Sequence, residues 1–422
     1  MTQTNETILE SREVLRPAHG FGPWMMGKVL ASLPFVFRVV RAVWPVPKIG
    51  RMVAATRCHD VREVFLNDEA FGVPYKAKLD VIMGGQPFFL GMGDTPAYRA
   101  DTGAMRKVVR REDVEARLAP AVERMAGEIV DRAGGRIEVV GGLVRRVTFD
   151  FLGDYFGVPP PAKGDIEVWA TRLFEFQFAD PGNDPKLRAE VDVIAPALRA
   201  HIQSEIDRRK AAGEYGDGPD DDVLGRCLAM QAKGEYGFTD DQIRTSLMGF
   251  IVGGPPQPPM VVPQAMEQLL RRPDALAGAQ AAARANDDEL LAGYIFEAMR
   301  FDPLAPALER IALADADIAG GTSRERKVKK GAKVWASIES AMLDPICVPE
   351  PRKVDPRRPW EQYMHFGHGL HTCFGIHINR GTLHLMLKPL LARQGLRRAS
   401  GPEGHLVKSG AFARALHVCW ES

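Results

Sequence analysis

Long uninterrupted hydrophobic runs are missing from this sequence of 422 residues. The most apolar stretch, Phe21 to Gly50, is broken by Lys28, Pro34, Arg38 and Arg41, and its longest uncharged run is about half of what a bilayer span requires. No short cleavable signal pattern stands at the start. The expectation is an N-terminal arm, residues 1–50, that packs on its own core, with no transmembrane segment. Shallow docking on a membrane surface through Trp24, Phe35, Phe37 and Trp44 beside the basic residues is the alternative. Cysteine is scarce and unpatterned: Cys58, Cys227, Cys347, Cys373 and Cys419 are odd in number and lack CxxC spacing. That argues against a disulfide framework and for a reducing, cytoplasmic location. Net charge is nearly absent, at +1, so nothing draws the chain toward nucleic acid. Repeats, long linkers and low-complexity tracts are absent as well.

What is present fits a sizeable globular core, with 45% hydrophobic and 26% charged residues. Helical periodicity dominates. Leu118, Val122, Met125 and Ile129 recur at three- and four-residue steps, as do Val191, Ile194, Leu198, Ile202 and Ile206. Thr239-Asp-Asp-Gln242 has capping-box spacing ahead of Ile243, Leu247, Phe250 and Ile251. Asn286 with Glu289 reads as the cap of another helix, running to about Phe301 and ending before Pro303. Strand-like segments are short: Gly50 to Ala55, Ile311 to Asp317, Ala332 to Ser337, and more in the last 25 residues. Gly213 to Asp222 and Ser323 to Lys330 read as surface loops. The fold class expected is mainly α with a small β-rich part, in one domain over residues 51–422.

The segment that carries chemistry is Phe366-Gly-His-Gly-Leu-His-Thr-Cys373-Phe-Gly375. Gly367 and Gly369 let the backbone turn tightly against a flat ligand, and Gly375 allows close approach of the next helix. A helix N-terminus at Cys373 would favour the thiolate. This FGxGxHxCxG pattern resembles the ligand loop of the cytochrome P450 superfamily at every fixed position. The resemblance implies a triangular, mostly helical fold with a β-rich corner. It also implies haem b (iron protoporphyrin IX), with Cys373 as the iron's ligand and its thiolate promoting O–O cleavage.

Other residues extend the resemblance. Glu297 and Arg300, three apart on one helix, can pair; with Phe-Asp-Pro303 after them they resemble the family's ExxR helix, whose buried pair braces the ligand loop. Leu308-Glu-Arg310-Ile-Ala resembles the strand whose arginine binds a haem propionate, a task that bidentate guanidinium–carboxylate bonding suits. His371 matches a second propionate partner, and Phe366, Gly367 and Gly375 line the cofactor in the same pattern. Val144 to Pro159, Leu343-Asp-Pro345 and Pro349 to Pro356 also have family counterparts.

Two departures from the family pattern stand out. After Gly93-Asp-Thr-Pro96, Tyr98 stands where a propionate-binding histidine is expected and Thr102 where an arginine is, with Arg106 one turn later as a substitute. The distal helix should carry an acid and a threonine that deliver protons to iron-bound dioxygen. Here the run is Gly253-Gly-Pro-Pro-Gln-Pro-Pro259, with Pro256 in place of the acid and Gln257 in place of the threonine. Neither proline nor an amide is a proton donor of useful pKa. Prolines in a helix interior cost about 3 kcal/mol each, so a broken or bulged helix is expected.

The leading expectation is a haem-thiolate enzyme that rearranges or cleaves a fatty-acid hydroperoxide, or uses peroxide, without external electrons. Gln257 would polarise the hydroperoxide and Cys373 would ligate the iron. The first rival is an O2-dependent monooxygenase of an apolar substrate, fed by a ferredoxin-type redox partner. The second is a haem-binding sensor or carrier without turnover. Pro87 to Met92, Phe174 and Phe178 point to an apolar substrate, and Lys76 or Lys78 offers a partner for a fatty carboxylate.

Overall fold

The computed structural model describes residues 4–16, 21–216 and 221–421, with the side chains of residues 21–31 outside the description. Trp24 and much of the loop after Gly216 therefore lie outside the described side chains. The chain folds into two compact units, each assembled from separated stretches. The first comprises Met1–Pro17, Tyr75–Val122 and Arg145–Pro258; the second comprises Ala18–Pro74, Glu123–Val144 and Pro259–Ser422. The first fifty residues divide between them.

The first unit is helical. Its longest element, Pro185–Ala212, buries Leu187, Val191, Ile194, Leu198, Ile202 and Ile206 along one face, as the apolar spacing predicts. It packs against Ile166–Phe178, Lys76–Met83 and Asp240–Gly253. Residues near the start of the chain lie on the same body: Arg172 donates to the carbonyls of Glu13 and Val14 at 2.7 and 2.6 Å, and Trp169 Nε1 to that of Leu9 at 3.1 Å. Buried charge is paired throughout. Arg226 meets both oxygens of Asp113, at 2.5 and 3.1 Å, and the Tyr155 hydroxyl donates to the same carboxylate at 2.8 Å. Pairing of this kind is needed because an isolated buried charge is costly.

The second unit holds every strand of the described residues. Its main sheet runs in the order Lys48–Ile49, Met52–Ala55, Lys333–Ala336, Leu308–Ala312, Phe71–Gly72, with the Met52–Ala55 and Lys333–Ala336 strands parallel. Val53, Ala55, Val334 and Ala336 alternate inward and meet Val61, Val64 and Phe65 of the helix Cys58–Leu66. Each of the valines and the phenylalanine contributes about 1.5–3 kcal/mol when fully buried.

Several expectations need correction. Ile311 to Asp317 is not one strand: Leu308–Ala312 and Ala316–Ile318 lie in different sheets. Asn286 does not cap the helix after it. It closes Pro273–Ala285 in the left-handed conformation (φ 54°), and Asp287 is the N-cap of Asp288–Arg300, accepting from Leu290 N–H at 3.0 Å. The cysteines are not all single, because Cys58 and Cys347 form a disulfide across 289 residues of sequence. Parallel pairing of two distant strands brings their following helices together, which spacing in the sequence cannot reveal. The Thr239–Gln242 capping box forms as read.

The helix it opens, Asp240–Gly253, passes closest to its neighbours at Gly249, where a Cβ would lie 2.2 Å from the Phe88 ring. Phe88 stacks on Phe89, and Phe89 and Phe156 both reach Phe250. Gly249→Ala is expected to force this cluster apart and lower unfolding stability by about 1–3 kcal/mol. A denaturant titration checks it.

Candidate active site

In the second unit Cys373 sits in a loop held by its own backbone. Cys373 N–H donates to Phe366 O at 2.9 Å, closing the segment on itself. Gly367 and Gly369 take φ of 74° and 73°, the left-handed region where glycine carries no Cβ penalty. A Cβ on Gly369 would also meet Phe65 O at 2.5 Å. Gly375 is different. Its φ is −83°, and a Cβ there would meet no atom of the chain closer than 3.6 Å, so the expected close helix approach is not made by the protein itself.

The helix after the loop is Ile376–Leu391 with Gly375 at its N-cap, which puts Cys373 two residues upstream of the cap. Burial pushes the Cys373 thiol's pKa up, and a Gly375 N–H at the sulfur pulls it only part of the way back.

The loop is braced from Glu297, which with Arg300 is fully buried. Arg300 Nε and Nη2 donate to Glu297 Oε1 and Oε2 at 2.8 and 2.9 Å, a bidentate pair. Three partners that sequence reasoning missed converge on the same carboxylate: Arg358 Nε at 3.0 Å, Tyr363 OH at 3.0 Å and Asp355 N–H at 2.9 Å. Arg300 then reaches the carbonyls of Met342, Pro351 and Lys353 at 3.1, 2.6 and 3.1 Å. Burial alone would raise the carboxyl's pKa, but Arg300, Asp355 N–H and Arg358 outweigh it and hold Glu297 below the usual range. Two residues past Tyr363, His365 Nε2 donates to Phe296 O at 3.0 Å, and burial pushes the imidazole's pKa down to about 4. Phe366 stacks on Trp360 with centroids 6.0 Å apart, and the Arg380 guanidinium lies 4.0 Å from the centre of the Trp360 ring.

Arg310 projects from the strand Leu308–Ala312, with 3% exposure and its guanidinium 4.9 Å over the Phe65 ring. His371 ends the short turn Gly369–His371 of the ligand loop. A buried guanidinium, an imidazole and a half-buried thiol in one unit make a donor set that fits a haem: one soft ligand for iron and cationic groups for carboxylates.

The remaining site residues belong to the first unit. Tyr98 lies in the first turn of Pro96–Val108, where Thr95 Oγ1 accepts its N–H at 3.1 Å. Thr102 turns its hydroxyl back to Tyr98 O at 2.7 Å, and Arg106 is exposed in the last turn. Lys76 and Lys78 are already engaged, with Asp80 at 2.7 Å and with Asp180 O at 2.6 Å. Phe174 is buried, with its ring 5.1 Å from that of Phe178.

The distal run breaks as expected. One helix ends at Gly253 and the next starts at Pro258, whose missing N–H costs nothing at a helix start. Pro255 and Pro256 have no N–H for the carbonyls of Ile251 and Val252, so the ladder must stop there. The Gln257 amide patches the next gap: its Nε2 donates to Gly253 O, while its backbone N–H goes to Gly254 O at 3.2 Å. Neither Pro256 nor Gln257 presents an ionisable group at the break.

The family model described as Cytochrome P450 matches residues 183–398. A bifunctional dioxygenase (DOX)-epoxy alcohol synthase (EAS) of Fusarium oxysporum is 26% identical over 392 residues, which is 84% of this chain and 30% of that protein. The chain thus spans under a third of that relative's length. A vitamin D(3) 25-hydroxylase of Pseudonocardia autotrophica is 23% identical, covering 90% of this chain and 91% of that protein. Among solved structures, P450BioI in complex with hexadec-9Z-enoic acid ligated acyl carrier protein superposes with a TM-score of 0.79 at 19% identity, over 94% of this chain and 100% of that one. The fold is thereby that of these proteins, mainly α with a small β-rich part.

Removing Glu297 leaves two buried guanidiniums uncompensated. Glu297→Ala is expected to cost about 3–5 kcal/mol and to yield haem-poor protein, measured by haem content and melting together. His365 sets a pH dependence of known sign. Its folded pKa lies below its unfolded value, so the unfolded state binds the extra proton and stability falls as pH drops below about 6.5. The stability of wild type relative to His365→Gln should therefore narrow between about pH 7 and about pH 5, by up to about 2 kcal/mol.

Proposed function

Since this chain belongs to the cytochrome P450 family, we propose that it is a haem-thiolate enzyme that rearranges or cleaves a lipid hydroperoxide, or spends peroxide, without external electrons. The observation that carries this reading is the break at residues 254–257, where Pro256 and Gln257 occupy the positions of the family's acid and threonine. Cys373 would ligate a b-type haem, with Arg310 and His371 as partners for its carboxylates, and the bound group would supply iron for chemistry at O–O bonds. The chain's part is to position the oxidant, with no ionisable side chain at positions 256 and 257. An amide carries two N–H donors, and the bond from Gln257 to Gly253 O uses one. The second can polarise a hydroperoxide oxygen without any change of protonation state. A hydroperoxide arrives with its own proton, so a missing relay costs it nothing.

The epoxy alcohol synthase named among the relatives fits this reading. Lys76 and Lys78, engaged with Asp80 and Asp180, give no support to a fatty-carboxylate anchor there. The second reading is an O2-dependent monooxygenase fed by a ferredoxin-type partner, favoured by the end-to-end match to a hydroxylase. For location we propose the cytoplasm, with contact at a membrane surface. No described helix is long and apolar enough to cross a membrane. Phe35, Val39 and Val43, four residues apart on the helix Phe21–Val43, are 69%, 45% and 80% exposed beside Trp44.

The purified haem protein is expected to consume a fatty-acid hydroperoxide with no reductase, ferredoxin or NAD(P)H present. Gln257→Leu should keep its haem and slow turnover on the order of 10- to 100-fold, or change the products. Well-coupled NAD(P)H-dependent hydroxylation together with indifference to hydroperoxides would sink this reading and promote the monooxygenase. Haem content and melting of the variant separate a lost patch on Gly253 from a lost donor.

A further inference from the structure

Three soft or borderline metal ligands meet in the second unit, on the side of the helix Cys58–Leu66 away from the Cys373 loop. Cys58 is the first residue of that helix and is 1% exposed. His59 follows it and is exposed. Cys347, partly exposed, lies after the helix Ile338–Met342. The ligand atoms of the three lie within 4.8 Å of one another, and His59 Nε2 is 3.8 Å from Cys347 Sγ.

The disulfide between the two cysteines is not what holds their segments together. Asp344, 1% exposed, accepts Cys58 N–H at 3.0 Å on one carboxylate oxygen and Ile346 N–H at 3.2 Å on the other. Its carbonyl accepts the N–H groups of Cys347 and Val348 at 3.2 and 2.9 Å. Ser340 Oγ donates to Thr56 O at 2.7 Å, and Arg41 spans the same junction to the carbonyls of Ser340 and Leu343 at 2.7 and 2.9 Å. The parallel strands Met52–Ala55 and Lys333–Ala336 lie beneath. The two Cα atoms lie 6.3 Å apart on this frame, and none of these hydrogen bonds runs through the bridge.

That frame suits tetrahedral zinc. Bond lengths of about 2.3 Å to sulfur and about 2.0 Å to nitrogen place two sulfurs about 3.8 Å apart and a sulfur and a nitrogen about 3.6 Å apart. The observed spacing of His59 Nε2 and Cys347 Sγ, 3.8 Å, is already near that value. The two sulfurs can reach theirs by side-chain rotation. Two thiolates and an imidazole select a soft or borderline cation over magnesium or calcium.

We propose that in the reduced protein Cys58, His59 and Cys347 bind one zinc-class divalent cation, with the fourth position open to water. Two equivalents of a low-molecular-weight thiol first reduce the bridge. Together they give two electrons and two protons to the two sulfurs and join as one disulfide. The cation then displaces both protons as the thiolates coordinate. The other end of this helix lies against the Cys373 loop through Phe65 O and Gly369, so the cation fixes the helix that backs that loop.

The test uses the intact haem protein, reduced with a phosphine, desalted and titrated with zinc against a chromophoric chelator. Bound zinc is then counted by elemental analysis. One equivalent is expected in the reduced protein and none in protein reoxidised to the disulfide. Cys347→Ser, at a partly exposed position that should leave folding intact, should lose the equivalent, as should Cys58→Ser. His59→Ala should weaken binding about tenfold or more, and Cys419→Ser should bind as wild type. No zinc in the reduced protein, uptake that survives Cys347→Ser, or a bridge that resists the phosphine overturns the proposal.

Discussion

The buried carboxylate of Glu297 is the point from which the second unit is organised. Five donors reach its two oxygens: Nε and Nη2 of Arg300, Nε of Arg358, the Tyr363 hydroxyl and Asp355 N–H. They come from its own helix and from the irregular stretch that leads to Phe366. A segment with so little regular structure has few ladder bonds of its own, so its path is set by where these donors must converge. The order of construction follows from this. Helix Asp288–Arg300 fixes the carboxylate, the carboxylate fixes residues 355–363, and those deliver the chain to the closed loop around Cys373. The burial that makes the pair costly alone also makes it selective, because only this set of donors compensates it.

Much of that site was legible as short local patterns. The loop around Cys373 announces itself because its requirements are local: glycines at left-handed positions, and a cysteine just before a helix. The pair of Glu297 and Arg300 was legible because three residues separate neighbours on a helix face. Arg358 and Tyr363 were not, since their partner lies some sixty residues away in sequence and only the tertiary path brings them to it. The same reason hid the contact of Cys58 with Cys347, and a count of cysteines pointed the wrong way. The helix cap at Asp287 was missed by one residue because Asn286 and Asp287 are both good caps. The left-handed backbone at Asn286 decides which helix each one serves.

Thiolate chemistry at Cys373 also shows what a local pattern leaves out. Proximity to a helix start was expected to favour the anion, yet burial dominates at the sulfur. In the first unit, the same balance of burial against pairing is met with internal partners, as at Arg226 with Asp113.

The break at residues 254–257 has a further consequence, for the routes by which such a chain can change. An acid at position 256 alone would still face Pro255, Pro258 and Pro259, so the ladder would not reform around it. A threonine at 257 alone would strip Gly253 O of the amide that now serves it. Neither single substitution therefore rebuilds the helix or completes a proton relay, and the one at 257 also loses a backbone bond. The proline run works as a ratchet: it is simple to keep, and reversible only through several coordinated replacements.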